Sequence, residues 1–288
     1  MKTQDKEKLQ ERIRQCDEHI IEALNQRMKL TRELTDFDIK HHQPLLGPGT
    51  DQDKIMKKSQ DDSMDEEADG ELYGELKRDL GGQIDRLLRG CADESIIRNI
   101  YQTIIESADK VRAQSLFSCN ILLVGFMGTG KSTISSYLVK TLGVEEADTD
   151  RLIEQREGRS IANIFETDGE AYFRRCETQL LAELQRRKNL IISCGGGMVL
   201  QDENIRLMKE NGKIVLLTAR PETIYERVKD SRERPILNHN MNVEFIAGLL
   251  EKRRPKYLKA ADIIIATDGR DVPDICEELI EKVAGSAK

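Results

Sequence analysis

Tryptophan is absent from this 288-residue chain, and aromatic residues make up only 4% of it. Nor is there an excess of basic residues: 45 Lys and Arg stand against 52 Asp and Glu, a formal charge of −7. Nothing therefore draws the chain as a whole to phosphate backbones or anionic bilayers, and nucleic acid and membrane are set aside as partners. Long apolar runs are missing too. The longest, such as Ile214-Val215-Leu216-Leu217, have strand length and fall far short of a bilayer span. The first residues, Met1-Lys2-Thr3-Gln4-Asp5-Lys6, are polar and mixed in charge, unlike a signal or transit peptide, which points to a cytoplasmic protein. Six cysteines (Cys16, Cys91, Cys119, Cys176, Cys194, Cys276) are scattered, with no Cys-x-x-Cys pair and no His at ligand spacing. That argues against a disulfide framework or a zinc site and leaves reduced thiols packed as small hydrophobes. Six prolines and 20 glycines exclude collagen-like and mucin-like chains, and 38% hydrophobic with 34% charged residues excludes full disorder.

What is present divides into two halves of different periodicity. Leu9, Ile13, Cys16, Ile20, Leu24 and Met28 recur every three or four residues, the stripe of a long amphipathic helix. His41-His42-Gln43-Pro44-Leu45-Leu46-Gly47-Pro48-Gly49 breaks it, because two prolines and two glycines cannot continue a helix. Residues 59–76 carry Asp61, Asp62, Asp65, Glu66, Glu67, Asp69, Glu71 and Glu75 with no Lys or Arg, so self-repulsion predicts a flexible, solvated insertion. Ile96, Ile97, Ile100, Ile104, Ile105 and Ala108 restore helical spacing up to about Ser115. From Asn120 onward, apolar runs at 121–124, 191–193, 214–218 and 263–266 alternate with helical segments. Fully apolar strands separated by helices predict a parallel sheet covered on both faces. Pro221 suits the first turn of one helix and Asp202-Glu203 the start of another. The expected organisation is an all-α domain over 1–115 followed by an α/β P-loop domain over 116–288 with a five-stranded parallel sheet.

Gly125-Phe126-Met127-Gly128-Thr129-Gly130-Lys131-Ser132 fits G-x-x-x-x-G-K-[ST] between an apolar strand and a helix. In such a loop the backbone N–H groups of Gly128, Thr129 and Gly130 close around phosphate oxygens. Lys131 reaches the β- and γ-phosphates, Ser132 holds Mg²⁺, and the helix entered through Thr133 presents its positive end. This motif specifies a nucleotide but not the acceptor. Asp148-Thr149-Asp150 falls where the next strand ends, placing two carboxylates at the sheet's carboxyl edge. One can serve Mg²⁺ through water while the other accepts a proton from an attacking hydroxyl. Gly195, Gly196 and Gly197 follow another strand and permit close backbone approach to a ligand. Arg227, Arg232, Arg234, Arg253 and Arg254 gather in the last third, and an arginine on a polar stretch between helices can close over nucleotide as part of a lid.

Taken together, these residues resemble shikimate kinase over residues 120–283. The resemblance rests on the P-loop, Asp148-Thr149-Asp150 with Ile153-Glu154, Gly169-Glu170 to Phe173-Arg174, Gly195-Gly196-Gly197, Arg234-Pro235-Ile236-Leu237, and Lys252-Arg253-Arg254-Pro255-Lys256-Tyr257. It implies that Asp150 binds the shikimate hydroxyls and acts as base. Arg174 and Arg253 would grip the carboxylate and Gly196 would add a backbone contact. It also assigns Asp148 to the Mg²⁺ shell, Arg227 to the adenine side, and Arg234 to the lid. Lys256 stands where the family often has an apolar residue. The implied reaction converts ATP and shikimate to ADP and 3-phosphoshikimate, with Lys131, Asp150 and Arg234 carrying the chemistry. A non-catalytic nucleotide sensor is the rival, but a sensor has no need of an acceptor site.

The first half resembles a helical chorismate mutase domain through Ile13, Asp17-Glu18, Leu24, Arg27, Pro44, Ile100-Tyr101 and Ile104-Ile105-Glu106. Such a domain rearranges a dianion and needs cations for two carboxylates. Arg27 keeps one of them. The family's early arginine falls on Gln10, its lysine on Asp38, and its late polar pair on Ala108 and Arg112. An Asp in place of a Lys repels the dianion, and Arg14, Lys40 and Arg112 are the cations left to compensate. A helical dimerisation or regulatory module is the preferred reading, a bifunctional enzyme the alternative. One long amphipathic helix leaves apolar surface that a second copy would cover, so a homodimer is expected.

Overall fold

The computed structural model describes residues 3–46, 94–229 and 242–286. The acidic segment 59–76, Cys91, Arg232 and Arg234 lie outside the described residues. Helix α1 (Thr3–Lys40) is followed, past the undescribed residues, by α2 (Glu94–Leu116). The α/β unit then runs β1 (Asn120–Val124), α3 (Lys131–Leu142), β2 (Glu145–Asp148), α4 (Thr149–Glu157), α5 (Ile161–Thr167), α6 (Gly169–Leu184) and β3 (Leu190–Ser193). A short 3₁₀ turn (Met198–Leu200) leads into α7 (Asp202–Glu210), β4 (Gly212–Thr218), α8 (Pro221–Val228), α9 (Val243–Ala260), β5 (Ile263–Ala266) and α10 (Val272–Gly285).

The five strands form one parallel sheet in the order β2-β3-β1-β4-β5. Leu122 at its centre lies opposite Ile192 on one side and Ile214 on the other. Successive side chains of a strand point to opposite faces, so Ile121 and Leu123 enter one core while Leu122 and Val124 enter the second. The first core is closed by α3 and α10, through Ile134, Leu138, Ile275, Leu279 and Ile280. The second is closed by α4, α6, α7 and α9, through Ile153, Phe173, Leu180, Met208 and Tyr257. Burying an aliphatic side chain of this size contributes about 1.5–3 kcal/mol, which is why the apolar runs mark the central strands so clearly. Strand β2 departs from that pattern. It is an edge strand reading Glu-Glu-Ala-Asp with only Ala147 buried, and only its closing Asp148 marks it in the sequence.

The stripe on α1 is only partly buried. Ile13, Cys16 and Ile20 are exposed, Leu24 and Met28 are half-buried, and the stripe's polar continuation Thr31, Thr35 and Asp38 is what packs away from solvent. The hydroxyls there are satisfied within the helix: Thr31 donates to the Arg27 carbonyl at 3.0 Å and Thr35 to the Thr31 carbonyl at 2.8 Å. Near the carboxyl ends of the two long helices Asp38 meets Arg112 at 3.8 Å, with side chains only 3% and 5% exposed. Both helices lead into the α/β unit. Leu45 and Leu46 beyond α1, and Ala113, Leu116 and Phe117 at the end of α2, belong to the same core as Ile134 and Leu279. The Leu45 and Leu46 N–H groups donate to the two carboxylate oxygens of Glu277 on α10, the second at 2.7 Å. Among the described residues no helix is long and apolar enough to cross a membrane.

Candidate active site

The loop between β1 and α3 has the shape its glycines require. Gly128 and Gly130 lie in the left-handed region, with φ of 74° and 94°, which non-glycine residues enter only with strain. The Thr129 side chain is buried and donates to the Phe126 carbonyl at 2.8 Å, so it braces the loop from inside. Lys131 opens α3, and its ammonium donates to the Gly125 and Phe126 carbonyls at 3.0 and 3.1 Å. Ser132 and Thr133 are exposed in the first turn. Arg227 on α8 donates to the Gly128 carbonyl at 3.1 Å and to the Thr267 hydroxyl and carbonyl at 3.0 and 2.9 Å. This arginine ties the loop to the end of β5.

Across the sheet edge, β2 ends in Asp148, which caps α4 by accepting the Arg151 N–H at 3.0 Å. The next residue, Thr149, donates its hydroxyl to the Ser193 carbonyl at 3.2 Å and accepts the Gly195 N–H at 2.9 Å. The three-glycine loop is thereby stitched to the turn that carries Asp150. The loop glycines are explained by their neighbours rather than by their dihedrals. A Cβ on Gly195 would stand 2.5 Å from Asp150 Oδ1 and 3.2 Å from Glu177 Oε1, and one on Gly197 would run into the Arg174 guanidinium. The Cβ position of Gly196 lies 3.5 Å from the Gly125 carbonyl oxygen, 3.7 Å from Tyr257 Oη and 4.0 Å from Arg253 Nη1. Asp150, Arg174 and Arg253 therefore converge on one loop, and that loop abuts the start of the phosphate-binding loop. Arg253 in turn stacks over the buried Phe126 ring, 5.5 Å from its centroid.

The electrostatics of this cluster are unequal. Arg174 donates to Glu177 at 2.8 Å and to Glu170 at 2.8 Å. Glu177 is 1% exposed. Burial pushes its carboxyl up to about 7, Arg174 opposes that, and the negative charge of Asp150 adds to it. Its Oε1 finds no hydrogen-bond partner among the described residues. Burial likewise holds the neighbouring Cys194 thiol in its neutral form, consistent with a packed hydrophobe rather than a nucleophile. Phe126, Thr149 and Tyr257 lie inside the quoted motifs but were given no role there, and Glu177 lies outside them. Glu177 sits three residues beyond Arg174 on the same helix, and that spacing is the signal that could have marked it. The other three act through neighbours, which a motif string does not reveal.

Ser132 and Asp148 offer a hydroxyl and a carboxylate, and among the described residues no three ligating side chains cluster. A hard, sparse oxygen set of this kind fits Mg²⁺, which keeps most of its shell as water and substrate phosphate.

The helical half gathers no comparable set. Arg14 pairs with Glu11 in solvent, and Lys40 is exposed. On one helix those two cations are separated by about 39 Å at 1.5 Å per residue. Arg112 is paired with the very Asp38 that it would have to outweigh. Arg27 is half-buried, and its Nη1 has no hydrogen-bond partner among the described residues.

Comparison with known proteins adds an independent line. A family model described as shikimate kinase matches residues 127–284. A shikimate kinase from Dehalococcoides mccartyi is 42% identical over 160 residues, covering 56% of this chain and 90% of that protein. One from Persephonella marina is 43% identical over 164 residues, covering 57% and 98%. Among solved structures, shikimate kinase from Acinetobacter baumannii in complex with shikimate superposes with a TM-score of 0.55 at 34% identity, covering 58% of this chain and 94% of that one. The Aquifex aeolicus enzyme gives 0.50 at 34% identity, covering 58% and 98%.

Proposed function

Since the chain belongs to the shikimate kinase family, we propose that it transfers the γ-phosphoryl group of ATP to the 3-hydroxyl of shikimate. The observation that carries this reading is the convergence of Asp150, Arg174 and Arg253 on the Gly195–Gly197 loop, directly beside the start of the phosphate-binding loop. A polyhydroxylated carboxylic acid needs a carboxylate for its hydroxyls and guanidinium forks for its carboxylate. In the reaction the 3-oxygen bonds to the γ-phosphorus as the bond from that phosphorus to the β,γ-bridging oxygen breaks, and ADP leaves. Asp150 orients the hydroxyl and accepts its proton. Lys131 leaves the loop carbonyls it holds here for the β- and γ-phosphates, while the backbone N–H groups of 128–130 cradle them. Arg227 borders the adenine side, and Arg234, which the resemblance assigns to a lid, lies outside the described residues. Mg²⁺ held by Ser132 and Asp148 would neutralise phosphate charge. Catalysis of this kind is positioning plus charge neutralisation.

Lys131→Ala is expected to abolish turnover in an ADP-release assay with shikimate. Arg174→Ala is expected to raise the Michaelis constant for shikimate with a much smaller effect on that for ATP. An unchanged shikimate constant in Arg174→Ala contradicts its role. We read residues 116–288 as this kinase and 1–115 as a helical module for dimerisation through α1. A second, chorismate-directed activity finds no favouring observation, because Arg112 is engaged with Asp38. A cytoplasmic location accords with free thiols at Cys16, Cys119, Cys176, Cys194 and Cys276.

A further inference from the structure

Helix α9 touches the glycine loop through more than Arg253. One turn further along, Tyr257 is 4% exposed, and its hydroxyl donates to the Gly196 carbonyl at 2.7 Å. On either side of that point the loop is held by other means. The Gly195 N–H is taken by Thr149 and the Met198 N–H by the Gly195 carbonyl. The peptide joining Gly196 to Gly197 has, among the described residues, only the tyrosine as a hydrogen-bond partner. Two glycines in succession impose little conformational preference of their own. Because a peptide unit is planar and trans, fixing the Gly196 carbonyl also fixes the direction of the Gly197 N–H.

We infer that Tyr257 is a positioning residue for the acceptor. Its hydroxyl locks the Gly196–Gly197 peptide plane and couples the loop to the helix that carries Arg253, so that backbone donors and guanidinium present one preformed carboxylate site. This rests on the shikimate reading above. Tyr257 does not touch the reacting atoms and acts through Gly196. Burial raises the phenol above its ordinary value, against the pull of Arg253, so the hydroxyl remains a donor throughout the neutral range. The same helix also holds the far end of the segment. Lys256 and Lys259 contact Asp202, at the start of α7, at 3.0 and 3.3 Å. Those pairs are solvent-exposed, and exposed pairs contribute little, so the buried tyrosine is the tie that matters for the loop.

The test compares full-length Tyr257→Phe with wild type and with Lys256→Ala, measuring both Michaelis constants, kcat and Tm on each. Wild-type turnover on shikimate is established first, and its absence overturns both the function and this inference. Given that turnover, Tyr257→Phe is expected to raise the shikimate constant about tenfold, the size of one lost hydrogen bond. Its ATP constant and Tm should stay close to wild type, and Lys256→Ala should match wild type throughout. Two results overturn the positioning role while leaving the kinase reading intact. One is an unchanged shikimate constant in Tyr257→Phe. The other is a parallel rise in both constants with a falling Tm, the mark of a merely structural tyrosine.

Discussion

A carboxyl group buried as deeply as that of Glu177 keeps its proton until about pH 7, where an ordinary glutamate releases it near 4.5. The sign of the consequence follows from linkage. The folded chain binds a proton that the unfolded chain has already released, so the associated stability is complete below about pH 4.5 and is lost as pH rises through about 7. Glu177→Gln removes this titration. Tm of the wild type should therefore fall relative to the variant between about pH 5 and pH 8, and parallel curves would contradict it. At this scale the proposed acceptor residues were legible where they recur as motifs, and Asp150, Arg174 and Arg253 stand against the Gly195–Gly197 loop. The roles of Glu177 and Tyr257 were not legible: the i,i+3 spacing of Glu177 from Arg174 allows a pair but does not show that it is buried, and Tyr257 closes a motif that does not show which carbonyl its hydroxyl meets.

At the scale of elements, the segment after α1 is bound to α10 by a carboxylate that receives two consecutive backbone N–H groups. Glu277→Ala leaves those donors without their acceptor, beside the buried side chains of Leu45 and Leu46, and an unsatisfied buried group costs about 1–3 kcal/mol. Chemical denaturation of the full chain should show a loss of that order, and a variant as stable as wild type would remove the clip from the account. The strands illustrate why elements differ in legibility. β1, β3 and β4 are buried over most of their length and read as apolar runs. β2, at the edge, has only Ala147 to bury and so lacks the composition of a strand. For α1 the period was readable but the partner was not. Among the described residues its apolar half is exposed as far as Leu24, and its polar half meets α2.

For the whole molecule, the proposed dimer rests on that exposed face: among the described residues Ile13, Ile20 and Ile21 on α1 are each more than half exposed, as are Ile96 and Ile100 on α2, apolar surface of the kind that can mark an interface. Light scattering of the full chain should give twice 32.8 kDa, and Ile13→Glu with Ile20→Glu should halve that mass while kinase turnover persists. A wild-type monomer would contradict the dimer. Leu45, Leu46 and Ala113 of the first half also share a core with Ile134 and Leu279 of the second, so the helices are packed into the kinase rather than merely tethered to it. The identity of the acceptor is tested most directly by ADP release from the full-length protein with ATP and Mg²⁺, with and without shikimate. Release should depend on shikimate and yield 3-phosphoshikimate. ADP formed at the same rate without shikimate, or none with it, would contradict shikimate as the acceptor.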